Sequence, residues 1–178
     1  MGIEIERRFL VENEDWRSEV TLSEDFSQAY LNSNSDEWAI RVRTIDNNQA
    51  YITLKAFLNG FTNYEFEYSI PITDAIELLN LSKYKISKIR YQIKINEKNW
   101  VIDSFKGQNS SLKIAEIELS SESEQIEIPS WCGQEITGIK SLSNASLAKT
   151  PISELSIKDR IKTKDPKQKG NPSFRLSL

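Results

Sequence analysis

Five short stretches of the chain each carry two charges of one sign placed two residues apart: Glu4 and Glu6, Arg41 and Arg43, Glu65 and Glu67, Lys88 and Arg90, Glu116 and Glu118. Side chains of an extended strand alternate between its faces, so the members of each pair share a face about 7 Å apart. The neighbouring positions are apolar, as with Ile40 and Val42, or Tyr64, Phe66 and Tyr68, or Ala115, Ile117 and Leu119. One such pair is what a solvated strand face looks like. Five of uniform sign are not, because a wet face interleaves both signs and like charges side by side repel. The arginines of "IRVR" add a further hint, since a planar guanidinium fork suits phosphate or carboxylate.

If the charged faces point into a barrel and the apolar faces outward, the interior holds Glu4, Glu6, Glu65, Glu67, Asp103, Glu116 and Glu118 against Arg8, Arg41, Arg43, Lys55, Lys88 and Arg90. Burying that much charge is costly unless ion pairs, water and a charged ligand fill the space. A polyanion with metal ions fits, the bases gripping phosphate oxygens while carboxylates hold divalent cations. No Gly-rich phosphate loop is present to do this work instead.

The elements that must position these residues read as strands. Period-two alternation predicts strands near 2–11, 37–45, 50–57, 62–70, 85–95, 98–104 and 112–120, with a short one near 27–32. "DNNQ" at 46–49, "LNG" at 58–60 and "NEKN" at 96–99 supply turns. Thr73 to Leu81 reads as a helix with Thr73 as N-cap, and Ser141 to Lys149 as a weaker one. The expected fold is mainly β, with eight antiparallel strands closed into a barrel that has no free edges and is covered by a few helices.

Composition narrows the chemistry. The 178 residues suit one domain. They include no histidine, which removes Ser-His-Asp triads and histidine metal sites together. The single cysteine, Cys132, excludes an intramolecular disulfide or a cysteine cluster, so any metal must sit on oxygen, as Mg²⁺, Mn²⁺ and Ca²⁺ do. From Pro151 onward there are seven basic against three acidic residues, a net +4 that leaves −7 for residues 1–150. We therefore expect a domain over 1–150 and a basic, disordered tail over 151–178. The acidic body argues against general nucleic-acid binding. The charged N-terminus resembles no signal peptide and no apolar run approaches the roughly 18 residues of a membrane span, so a soluble cytoplasmic protein is expected.

In their order along the chain these residues resemble the CYTH domain, the triphosphate tunnel metalloenzyme family. "EIERRFLV" is similar to its N-terminal ExExK signature, followed by "QAYL" with Tyr30, "IRVR", "ITLK" with Lys55, "YEFEY", "SKIRY", "WVIDSF" with Asp103, "IAEIELSSE" and a closing "WCGQEITGIKSLSNASLA". The resemblance covers residues 1–150 and implies an eight-stranded tunnel that binds a triphosphate with Mg²⁺ or Mn²⁺. It assigns Glu4, Glu6, Glu116, Glu118 and Asp103 to the metal side, and Arg8, Arg41, Arg43, Lys55, Lys88 and Arg90 to phosphate. Glu65 and Glu67 match acids that organise the lumen or hold a second metal. Glu4, Glu6, Arg8, Glu116 and Glu118 are the implied catalytic set.

Two positions depart from the family pattern. Arg8 replaces the signature lysine, and "GIKSLSN" keeps Lys140 but puts Ile139, Ser141 and Leu142 where relatives carry a more polar run. The expected activity is metal-dependent hydrolysis of inorganic triphosphate. The alternatives are a class IV type adenylate cyclase, a thiamine triphosphatase, or a polyphosphate-binding module without catalysis. A homodimer is compatible with this reading.

Overall fold

The computed structural model describes residues 2–32 and 38–154. Eight strands build the wall: β1 (Ile3–Val11), β2 (Val20–Asn32), β3 (Ala39–Ile45), β4 (Gln49–Asn59), β5 (Thr62–Ser69), β6 (Tyr84–Ile95), β7 (Lys98–Phe105) and β8 (Lys113–Glu118). Around the wall they run β1-β5-β4-β3-β2-β6-β7-β8, with every pairing antiparallel. β1 closes the ring, pairing at its start with β5 (Ile3 opposite Tyr64) and from Glu6 to Leu10 with β8. The barrel is thus closed, as expected. Its hairpins turn on residues with positive φ, Asp46 and Asn47 after β3 and Asn96 and Glu97 after β6, and Asn and Asp adopt that conformation more readily than most residues.

Several elements differ from the sequence reading. The short strand near 27–32 is the end of the 13-residue β2, whose first half "VTLSED" is too polar outside to betray itself. A further strand, β9 (Cys132–Glu135), lies against the end of β1 and went unrecognised because its four residues show no alternation. The first helix, α1 (Ile72–Leu81), begins behind Pro71, and Thr73 donates to the Asp74 carboxylate and caps nothing. Proline's fixed φ starts the helix without a side-chain cap. The second helix is shorter than expected: a 3₁₀ turn covers Lys140–Leu142, and α2 (Asn144–Lys149) starts afresh where the Ser143 hydroxyl accepts from the Ser146 amide at 3.2 Å. Of the expected tail, Pro151–Glu154 are described and Ile152 is buried; residues 155–178 lie outside the described residues.

Apolar faces point outward over most of the wall and are covered. Phe9, Ile93, Trp100, Ile102, Ala115 and Ile117 pack beneath Trp16, from the turn before β2, and Trp131, from the segment before β9. On the opposite side α1 lays Ala75, Ile72 and Leu78 over Val42, Ala50 and Ile52. One end of the interior is apolar too. There the inward-facing Tyr30, Ile86, Phe105, Leu112 and Ile114 meet Ile136, Leu142, Leu147 and Ile152 from the closing segment, and this plug fills that end of the barrel. Asn109 latches it, donating to the Leu147 carbonyl at 3.3 Å and accepting from the Ile152 amide at 2.7 Å. The apolar residues that depart from the family pattern near Lys140 are thereby explained, since Leu142 is a fully buried part of the plug.

Leu147 has no solvent exposure. Leu147→Ala should lower the unfolding free energy by about 2–5 kcal/mol, as the loss of a buried leucine into a cavity does, and urea denaturation checks it.

Candidate active site

Strand register decides which side chains share the lumen. Residues directly opposite in an antiparallel pair point to the same side. Going round the wall, Arg8 stands opposite Glu116 and Glu6 opposite Glu118; Arg90 stands opposite Asp103; Arg43 and Arg41 stand opposite Gln28 and Tyr30; Thr53 and Lys55 stand opposite Glu67 and Glu65. All thirteen charged residues singled out above therefore face inward, and they fall into three groups.

The most deeply buried group joins β1, β6, β7 and β8. Arg90 grips Asp103 with two bonds, Nε at 2.8 Å and Nη2 at 2.7 Å, and reaches Glu116 at 2.8 Å. Lys88 closes on the other side of Asp103. Arg8 donates from Nε to Glu116 at 3.0 Å and from Nη2 to the Leu142 carbonyl of the plug at 3.1 Å. Burial would raise the Asp103 carboxyl, but Arg90 and Lys88 outweigh it and hold the group well below its usual range. Burial and Asp103 also act to raise Glu116, and Arg8, Arg90 and Lys88 bring it down. Lys88 has lost its bulk solvation, and burial brings it down to about 8 against the pull of Asp103. Three bases here face two acids.

A second group spans β3, β4 and β5. Arg43 pairs with Glu67 at 2.7 Å, and Arg41 reaches Glu67 and Glu65 at 3.4 and 3.5 Å. The Nε atoms of both arginines are buried without a protein acceptor. The third group is acidic. Glu4, Glu6 and Glu65 share the single ammonium of Lys55, which pairs with Glu4 and lies 3.7 and 3.4 Å from Glu6 and Glu65. Beside them Glu118 is exposed, and among the described residues no ion pair or hydrogen bond engages its carboxylate. Burial and the neighbouring Glu6 push Glu4 up to about 8, despite Lys55. Burial alone would lower Lys55, but Glu6, Glu4 and Glu65 hold it above its ordinary value.

The expected metal ligands are therefore divided. Asp103 sits among bases, its oxygens taken by Lys88 and Arg90, and so does Glu116; Glu4, Glu6 and Glu118 remain on the acid wall. Among the described residues no three carboxylates converge on one point as a ready-made cation cage. The acid wall nevertheless fits a hard divalent cation: its donors are carboxylate oxygens, and four carboxylates face one ammonium.

Three lumen residues escaped the sequence reading. Thr53, buried, accepts from Arg41 at 3.0 Å and donates to Glu67 at 2.7 Å, locking that pair in place. Phe26 forms the floor under Arg90, Arg43 and Lys88, which lie 5.4, 5.5 and 6.0 Å from its ring centre. Gln28 is buried with no protein partner for either amide atom. Had β2 been read at its full length, period two would have put Phe26, Gln28 and Tyr30 on the lumen face together. Neither Tyr30, which lies in the plug, nor Tyr64, which faces outward, offers the lumen a platform on which a base could stack.

A closed antiparallel barrel lined with paired acids and bases defines a tunnel-type anion site. The chain belongs to the CYTH domain family, whose model matches residues 2–150. It is 36% identical over 153 residues to the inorganic triphosphatase of Acetivibrio thermocellus, covering 85% of this chain and 96% of the relative. It is also 31% identical over 149 residues to the inorganic triphosphatase of Nitrosomonas europaea, covering 82% and 96%. A crystal structure of an inorganic triphosphatase superimposes with a TM-score of 0.60 at 30% identity, covering 82% of this chain and 93% of that one. Among the described residues, no helix is long and apolar enough to cross a membrane.

The raised Glu4 has a consequence for stability. Its folded pKa lies above its unfolded value, so its contribution to stability is present below about 4.5 and lost as the pH rises through about 8. Glu4→Gln keeps the neutral shape, and should melt with the wild type in mild acid and above it in mild alkali. Thermal melts at the two pH values check this; a variant that melts lower in alkali would contradict the burial of charge.

Proposed function

We propose that this chain hydrolyses inorganic triphosphate, or a similarly compact triphosphate, with a divalent cation. The observation that carries the reading is the partition of one closed lumen into a basic side and an acidic side. Supporting it are the relatives named above and the buried Nε donors of Arg41 and Arg43, which have no acceptor in the protein.

In this reading Arg8, Arg41, Arg43, Lys55, Lys88 and Arg90 bind the phosphate chain, exchanging carboxylate partners for phosphate oxygens. Glu67 and Thr53 hold Arg41 and Arg43 at the spacing the chain needs, and Asp103 does the same for Lys88 and Arg90. Such prior ordering matters because positioned charges stabilise the developing phosphoryl charge without reorganising during the reaction. Glu4, Glu6 and Glu118 would hold a Mg²⁺ or Mn²⁺ ion, which would supply neutralisation of phosphate charge and polarisation of the scissile group. Water adds to the terminal phosphorus, the bond to the bridging oxygen breaks, and orthophosphate and pyrophosphate result. Glu118 is better suited than Glu116 to take the proton from water, since Glu116 is held by Arg8 and Arg90. Glu65 keeps Arg41 and Lys55 aligned from the β5 side.

The cyclase and thiamine triphosphatase readings each need a platform for an organic head group. The positions of Tyr30 and Tyr64 favour neither. A binding module would show tight triphosphate binding without turnover.

Phosphate release from triphosphate, pyrophosphate, ATP and thiamine triphosphate, with and without Mg²⁺ or Mn²⁺, tests the proposal. Triphosphate should be the best substrate and chelation should abolish its turnover; cyclic AMP formed from ATP would favour the cyclase. Arg43→Ala and Glu6→Ala should each lower kcat/KM by ~100-fold or more, the scale seen when one stabilising group is removed. Turnover like that of the wild type in either variant would sink the site assignment.

A further inference from the structure

One buried side chain of the lumen takes no part in its network of ion pairs. Gln28 is 1% exposed, and neither its Nε2 nor its Oε1 has a partner among the described residues. Buried amides are nearly always hydrogen-bonded, because an unmet donor or acceptor forfeits the hydration it had in water. A glutamine kept in such a place calls for a partner from outside the chain.

Register says what surrounds it. Gln28 stands directly opposite Arg43 on β3 and Ile86 on β6. Two residues before it, about 7 Å along the strand, Phe26 lies beneath Arg43, Arg90 and Lys88; two residues after it, Tyr30 belongs to the plug. Gln28 is thus the last polar position of β2 before the lumen turns apolar. Arg43 and Arg41, opposite Gln28 and Tyr30, carry the buried Nε–H groups that also lack an acceptor. Unmet hydrogen-bonding groups therefore collect on one stretch of the β2–β3 wall. Negative charge is scarce there too, since burial and the neighbouring Arg41 hold Arg43 below its ordinary value in spite of Glu67.

We propose that Gln28 is a further binding residue of this site and contacts the phosphate nearest the plug. Nε2 donates to a non-bridging oxygen of that phosphate, beside the guanidinium groups of Arg41 and Arg43. Oε1 accepts from the Arg43 Nε–H across the strand pair. This rests on the triphosphate reading of the lumen, to which it adds a residue and a place for the innermost phosphate. An amide suits the position. A carboxylate there would occupy Arg43 as Glu67 does, and another ammonium would add repulsion to a crowded group of bases. A neutral amide offers phosphate a bond and does neither.

Calorimetric titration of the full chain with inorganic triphosphate, in the absence of divalent cations so that none is hydrolysed, tests the inference beside thermal melts without ligand. Gln28→Leu removes the amide at nearly constant volume. It should bind triphosphate about 10-fold or more weakly, the scale of a lost hydrogen bond to a charged group. By itself it should melt at or above the wild type, because an unmet buried amide is gone. Gln28→Glu, whose carboxylate repels phosphate and pairs with Arg43, should bind more weakly still and melt no lower than the wild type. In amide NMR spectra of the wild type, the side-chain signal that Gln28→Leu lacks should move as triphosphate is added. Equal affinity in the wild type and Gln28→Leu, or a signal that stays in place, would overturn the inference and leave the triphosphate reading standing. So would a Gln28→Leu variant that melts well below the wild type, since the amide would then be a support of the barrel. A wild type that binds no triphosphate would overturn both.

Discussion

A charge enclosed by a barrel wall must be answered by another charge within reach, and this requirement organises the molecule. Asp103 has no solvent exposure, and it is tolerable there only because Lys88 and Arg90 meet it on either side. Those two bases in turn need strand β6 to present positions 88 and 90 inward, which fixes the register of β6 against β2 and β7. Once the even positions of β6 face in, Ile89, Tyr91 and Ile93 must face out and find cover. Trp16 stacks against Tyr91 with ring centres 5.0 Å apart, and Trp131 meets Trp100 at 5.6 Å. The outer core is thus a consequence of the inner charges as much as a cause of the fold. Removing one member of such a buried set strands its partners, which is more costly than never having had the set.

Balance is not uniform along the lumen. Deep among β6, β7 and β8 every carboxylate is engaged by at least two bases, and the geometry is tight. On the acid wall charge stays unbalanced: Glu4, Glu6 and Glu65 share Lys55 beside the further carboxylate of Glu118, and Glu4 responds with a strongly raised pKa. Frustrated electrostatics of this kind is what a site looks like before its ligands arrive, whereas a purely structural network closes on itself. The plug reaches into this arrangement through the Leu142 carbonyl, which holds the Arg8 guanidinium. A lysine at that position has no planar fork with which to bridge Glu116 and a backbone carbonyl at once, so the arginine and the apolar closing segment are explained together.

How much of this was legible in the sequence depended on periodicity. Period-two alternation in "IEIER", "IRVR", "YEFEY" and "SKIRY" revealed the strands, and the uniform sign on one face revealed that the charges point inward. Side-chain partnership was harder to read. Asp103 looked like a metal-side acid because sequence order cannot say that it lies opposite Arg90; only the β6–β7 register does. Phe26 was missed because it precedes the short strand expected near 27–32, and Gln28 and Thr53, inside expected strands, because a lone uncharged polar residue carries no signal. The plug was invisible for a related reason: Leu10, Ile86 and Ile114 sit on the same faces as the charges, one step beyond them, and a strand pattern does not say where along a barrel its polarity changes.

The apolar plug also sets an order of events. With one end filled by Leu142, Leu147 and Ile152, whatever reaches the basic and acidic sides of the lumen comes and goes through the other end. When a linear molecule is cut inside such a dead-end passage, the fragment nearer the opening departs first and the deeper one waits behind it. In the proposed reading release is then sequential by geometry, the fragment nearer the plug leaving last.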